Sequence, residues 1–111
     1  MANQYTIEHY LTEDGTDVFA DWFDALRDYN ARNRIAMRLN RVTLGNFGDH
    51  KSIEQGMWEL RVDYGPGYRV YYFLDGQTVV ILLCGGDKRT QDADIKRAKA
   101  FREDYERRKK P

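Results

Sequence analysis

GMWELRVDYGPGYRVYYFLDGQTVVILLCGGDK, residues 56–88, decides the fold. Its strand-like runs predict a three-stranded antiparallel meander, and alternation sets the register. Trp58, Leu60 and Val62 point one way on the first strand, and Tyr68, Val70, Tyr72 and Leu74 do so on the second. For these sets to share a face, Leu60 pairs with Val70 and Val62 with Tyr68. Arg61 and Arg69 then stand opposite each other on the other face, where like charges are unfavourable unless an anion or a carboxylate answers them. Asp75-Gly76 is the strongest short hairpin signal and predicts a two-residue turn that pairs Leu74 with Gln77. That register places Val79, Ile81 and Leu83 on the core face, and Val80, Leu82 and Cys84 beside Arg61, Arg69, Tyr71 and Phe73. The second face is too apolar to stand bare, so a C-terminal helix, a partner protein or both must cover part of it. Tyr71, Phe73, Val80 and Leu82 are the candidate partner-binding residues.

Upstream, Gln4 to Leu11 alternates and reads as an opening strand. Thr16 can cap a first helix, with Asp17 at the positive end of its dipole and Val18, Phe19, Trp22, Phe23 and Leu26 on one stripe. Asn30 caps a second helix, in which Ile35, Leu39 and Val42 keep the helical rhythm while Arg34, Arg38 and Arg41 populate other faces. Gly45 and Gly48 end it and open a loop that exposes His50 and Lys51. Downstream, a helix from Thr90 to Arg107 carries a weak stripe of Ile95, Ala98, Phe101 and Tyr105. Its basic end, Arg107 to Lys110, reads as a frayed tail. The expected fold is α+β in the order β-α-α-β-β-β-α. It has a helical hairpin on one face of a small antiparallel sheet, which becomes mixed if the N-terminal strand pairs parallel. Residues 1–111 suit a single domain.

Composition narrows the functional classes. One cysteine, Cys84, excludes an internal disulfide and suits a reducing compartment. With no signal-like N-terminus and no run of about 18 apolar residues, a cytoplasmic chain without a membrane role is expected. The net charge of zero conceals a polarity of −6 over residues 1–31 and +6 over residues 32–111. His9, His50 and Cys84 offer no metal-ligand spacing, no cofactor motif is present, and Ser52 is the only serine. Gly85-Gly86 suits a turn or bulge at the end of the last strand. What remains is a cluster of cations with interleaved aromatics: Arg61, Arg69 and Lys88 as candidate catalytic residues, with Lys51, Tyr64 and Arg89 as candidate RNA-binding ones. Arginine grips phosphate with two donors and aromatic rings stack on unpaired bases, which suits single-stranded RNA. Fixed cations can also stabilise the charge that builds on phosphorus when a 2′-hydroxyl attacks it. A structural pair of Arg61 with Glu59 or Asp63 is the plainer role, but it leaves the clustering of cations unexplained.

The blocks WELR (58–61), YGPGYRVY (64–71) and LLCGGDK (82–88), preceded by LGNFGDHK (44–51), resemble the HigB-like "addiction module killer protein" branch of the RelE/ParE toxin superfamily. The resemblance implies the toxin of a type II toxin–antitoxin module. Such a toxin is usually a metal-independent, ribosome-dependent mRNA endoribonuclease, neutralised by a small antitoxin that often binds DNA. It implies mRNA, the ribosome and that antitoxin as partners, and leaves room for a homodimer. By motif, the functional arginine of the LR dipeptide falls on Arg61, and the basic residues after the last strand fall on Lys88 or Arg89. Where relatives carry lysines before that dipeptide, this chain has Met57 and Glu59, and it lacks the C-terminal histidine of some members. Tyr64, His50 and Glu59 are the candidate bases. Alternatives within the superfamily are a gyrase-poisoning inhibitor without enzymatic activity and an inactive antitoxin-binding module.

Overall fold

The computed structural model describes residues 4–109. Five strands and three helices follow one another: β1 (Thr6–His9), α1 (Val18–Ala25), α2 (Tyr29–Thr43), β2 (His50–Ser52), β3 (Met57–Val62), β4 (Tyr68–Asp75), β5 (Val79–Asp87) and α3 (Gln91–Lys109). They build one sheet in the order β1-β5-β4-β3-β2. β1 runs parallel to β5 and every other pair is antiparallel, so the α+β fold carries a mixed sheet. β2 replaces part of the expected loop. It is three exposed residues paired to the edge of β3, too short and too polar for alternation to announce it.

Both helix caps lie earlier or later than the sequence suggested. Asp17, rather than Thr16, caps α1 by accepting from the Ala20 N–H at 2.9 Å. Asp28, rather than Asn30, caps α2 through the Ala31 N–H at 3.2 Å. A carboxylate at either position also faces the positive end of the helix dipole.

The β3–β4 register is the expected one, with Leu60 opposite Val70, Val62 opposite Tyr68 and Arg61 opposite Arg69. The β4–β5 register is not. Leu74 pairs with Val80 and Asp75 with Val79, so the turn holds three residues and opens with Gly76 at φ 75°. Moving the partner of Leu74 from Gln77 to Val80 is a shift by an odd number of residues, which turns β5 over. Val80 and Leu82 therefore sit under the helical hairpin with Leu60, Val70 and Tyr72, while Ile81 and Leu83 join Tyr71 and Phe73 on the other face. A bulge then restores the original parity. The pairing slips between Tyr71 and Tyr72, so Cys84 lies on the face expected for it.

The hairpin face buries Phe19, Ala31, Ile35 and Val42 against the sheet. The opposite face is closed by α3, where Ala98, with Ile95, Phe101 and Tyr105, packs over Met57, Tyr71, Phe73 and Ile81. Polar contacts fasten this weakly striped helix. The Tyr10 hydroxyl donates to Asp104 at 2.6 Å, Tyr105 donates to Asp75 at 2.7 Å, and the Arg102 guanidinium lies 4.6 Å over the Phe73 ring. The basic end is engaged rather than frayed: Arg107 and Arg108 each reach Asp104 at 2.7 Å, and Lys109 reaches Asp75. Lys110 lies outside the described residues.

Gly85 and Gly86 form neither a turn nor the bulge: both pair in regular register within β5, opposite Val70 and Arg69, and the slip falls before them. They are spacers between layers. A Cβ on Gly85 would stand 2.3 Å from the Trp22 ring of α1, and one on Gly86 would stand 1.8 Å from Asp94 Oδ2 of α3. Trp22 is itself backed by Phe19 and Tyr68, so it cannot retreat freely. Gly85→Ala is expected to lower stability by about 1–3 kcal/mol through overpacking. Urea unfolding followed by tryptophan fluorescence measures this, and an unchanged midpoint would show that Trp22 yields.

Candidate nucleic-acid interface

The face under α3 carries two cross-strand rows that differ in exposure. In the first, Lys51 stands opposite Glu59, Glu59 opposite Tyr71 and Tyr71 opposite Cys84. The start of α3 lies over this row, and Gln91 Nε2 donates to Glu59 Oε2 at 2.8 Å. The second row holds Arg61 opposite Arg69 and Arg69 opposite Gly86, and the Asp49 carbonyl accepts from the Arg61 N–H at 2.9 Å. Beside it lies a cleft of about 140 Å³ lined by Asp49, Arg61, Asp63, Gly67, Arg69 and Lys88. The structure thus brings the three candidate catalytic residues together.

Two carboxylates answer the facing arginines, and they are not the pairing the sequence suggested. Glu59 takes Arg69, with Oε2 at 3.6 Å from Nε, and Asp49 takes Arg61 at 3.2 Å. The pairs differ in character. Glu59 is 1% exposed and Arg69 9%, so their attraction acts in a weakly screening interior. The Asp49–Arg61 pair is open to water and correspondingly weak. Arg69 Nη1 donates to the Tyr68 carbonyl at 3.2 Å, while its buried Nε has no hydrogen-bond partner among the described residues. Lys88 is exposed and makes no ion pair among the described residues; its backbone N–H donates to the Gly67 carbonyl at 2.9 Å. Gly67 sits at φ 83°, in the left-handed region where a side chain is strained, and its Cα lies beside Arg69 and Lys88, whose Nη1 and Cβ would each be in ordinary contact with a Cβ there, at 3.5 Å. Glycine thus supplies the backbone turn between β3 and β4 next to both cations.

The remaining candidates are placed elsewhere. Lys51 is exposed on the same face, on edge strand β2. Arg89 folds back on Asp87 at 2.9 Å, which raises the arginine's pKa and, through the same hydrogen bond, lowers that of the aspartate. Tyr64 lies on the α2 side, with the Arg34 guanidinium 4.5 Å over its ring and its hydroxyl 3.4 Å from Asp28. His50 pairs with Leu60, so it faces the hairpin side, edge-on to Trp58. Of the candidate bases, only Glu59 shares the cationic face, and it is buried and engaged. The four proposed partner-binding residues are all buried: Tyr71 and Phe73 in the core beneath α3, Val80 and Leu82 beneath the helical hairpin. None offers surface to a partner in this arrangement. Burial raises the Tyr71 hydroxyl, with Glu59 adding to the effect, and pushes the Cys84 thiol up to about 12, leaving it an inert core residue.

Arg38 is the residue that sequence reading missed. Its guanidinium donates to the carbonyls of Arg61, Phe47 and Asp49, the last two at 3.0 Å. It ties α2 to β3 and to the loop before β2, and so holds Asp49 against Arg61. Burial lowers its pKa. Its own sequence neighbourhood, an arginine among arginines, gives no signal of this.

Glu59→Gln keeps the shape and the contact with Gln91 but leaves Arg69 as an uncompensated buried charge. The expected loss is about 3 kcal/mol in denaturant unfolding. The double variant E59Q/R69Q should recover part of it, and simple additivity would show that the two side chains are not coupled.

The profile of a family described as "Phage derived protein Gp49-like (DUF891)" matches residues 21–106, from within α1 to near the end of α3. An uncharacterized protein of Haemophilus influenzae is 51% identical over 84 residues, which cover 76% of this chain and 85% of that one. Among the described residues no helix is long and apolar enough to cross a membrane.

Proposed function

The chain belongs to the Gp49-like phage-derived family, which is associated with addiction-module killer proteins, and we propose that it acts as an mRNA-cleaving toxin of the RelE/HigB kind. In this reading residues 1–111 form one toxin domain that works on the ribosome without a metal and is silenced by a cognate antitoxin. One observation carries it: Arg61 and Arg69 are cross-strand partners, with Lys88 beside them, at the open end of a face otherwise covered by α3.

The chemistry follows from that arrangement. The 2′-hydroxyl of one nucleotide loses its proton and attacks the adjacent phosphorus, the bond to the next 5′-oxygen breaks, and that oxygen takes a proton from the Lys88 ammonium or from water, giving a 2′,3′-cyclic phosphate and a 5′-hydroxyl. The five-coordinate transition state carries an additional negative charge on its equatorial oxygens, where preorganised donors are most effective. The scissile phosphate displaces Asp49 from Arg61, an exposed pair worth at most about 1 kcal/mol, and takes a bidentate contact in its place. Lys88 meets it from the other wall. Arg69, held by Glu59, keeps the floor positive and fixed. Asp49 and Asp63 are the carboxylates that line the cleft and can accept the 2′-hydroxyl proton.

Primer extension on transcripts after induced expression tests this. Wild-type protein is expected to produce discrete cuts, and Arg61→Ala to reduce them by about 10²–10³-fold while remaining folded. Intact mRNA in growth-arrested cells would sink the proposal. It would favour instead a non-enzymatic inhibitor of the gyrase-poisoning kind, a reading supported by the carboxylates that already answer both arginines. A DNA supercoiling assay then decides, because only that inhibitor blocks gyrase.

A further inference from the structure

Residues 29–48 contain four arginines and no carboxylate. Arg38 is turned inward and Arg32 lies 5.0 Å over the Tyr29 ring, but Arg34 and Arg41 are exposed and make no ion pair among the described residues. Two turns apart on α2, they share one face with Asn30 and with Met37, which is 55% exposed. This face walls a groove of about 560 Å³ whose far side is Val62, the last residue of β3, and Asp63 just after it. Asp63 also lines the Arg61–Arg69–Lys88 cleft, so groove and cleft adjoin across one residue. The Arg38 guanidinium beneath that divide fixes the relation between the two.

We infer that the α2 groove binds the sugar–phosphate backbone of the same single-stranded RNA whose scissile phosphate lies in the cleft; this rests on the function proposed above. The lining favours nucleic acid over a protein segment. Two guanidinium forks and the amides of Asn30 and Asn33 donate to phosphate and ribose oxygens without regard to sequence. A protein partner would want an apolar pocket for a buried anchor, and Met37 is the single exposed apolar side chain in the wall. The groove therefore adds affinity and direction to the strand, while Arg61 and Lys88 act on one phosphate within it.

Fluorescence anisotropy with 2′-O-methyl oligonucleotides, which lack the attacking hydroxyl, tests this at low salt. Two probes are compared: a trinucleotide that fills only the cleft, and an oligonucleotide of about twelve residues that spans both. Arg34→Gln with Arg41→Gln should weaken the longer probe about tenfold, leave the trinucleotide unchanged and flatten the salt slope by about 1.4, two contacts at about 0.7 each. Because Arg34 also packs on Tyr64, Met37→Glu provides a second route. It places an acid in the groove at an exposed helical position that tolerates glutamate, and it should give the same length-dependent loss. Equal binding of the longer probe by wild type and both variants overturns the inference while leaving the cleft's function intact, as does a loss that is equal for the two probes. If the variants keep RNA but lose a co-expressed product of the neighbouring reading frame, the groove belongs to a protein partner. If wild-type protein binds neither probe, the RNA-cleaving function falls, and the groove's role with it.

Discussion

The centre of this sheet is apolar on both faces, and the rest of the molecule is arranged around that constraint. β4 buries every side chain from Tyr68 to Phe73, and β5 buries every residue from Val80 to Gly86. Neither face can be left to water, so both need a helical layer, and three α-helices among the described residues supply them. α1 and α2 take one face. α3 alone takes the other, with a weak apolar stripe that needs the contacts of Tyr10, Tyr105 and Arg102 to seat it. A single helix cannot cover the whole face, and the end it leaves open is where charged side chains reach solvent.

That division explains why two arginines side by side behave differently. Arg69 lies toward the covered region, where burial forces it to keep a carboxylate: Glu59 at 3.6 Å, itself fixed by Gln91 at the start of α3. Arg61 lies at the open end, where water screens its contact with Asp49 and a phosphate can take the carboxylate's place. One arginine is thereby part of the scaffold and the other is available. The cleft's cationic character comes from this geometry and from Lys88, which makes no ion pair among the described residues, not from the overall charge of the chain, which is zero.

The bulge in β5 reconciles the strand with its neighbours. Between Asp75 and Tyr72 the register puts Val80 and Leu82 under α1 and α2; beyond it, the register puts Gly85 under Trp22 and Gly86 under Asp94. One additional residue lets the same strand present its larger side chains to each layer in turn and then almost no side chain where both helical layers come closest. The glycine pair is thus a packing device that lets α1 and the first turn of α3 approach the strand.

The meander, the helical stripes, the β3–β4 register and the meeting of Arg61 with Arg69 were legible in the sequence, because period-two and period-3.6 patterns are local properties of the chain. The β4–β5 register was not. Asp75-Gly76 is compatible with more than one loop length, and the core, not the turn, chose a three-residue loop with a bulge beyond it. Nor was the parallel pairing of β1 with β5 fixed by sequence, since it joins segments far apart in the chain. The ionic partners were equally hidden. Which carboxylate answers Arg61, which is buried against Arg69, and which arginine of α2 turns inward depend on distances across strands and between layers. The amino-acid sequence by itself determined which residues form elements and which cations share a face. Tertiary structure decided which of those cations are free to act, because burial and screening are properties of the packed whole.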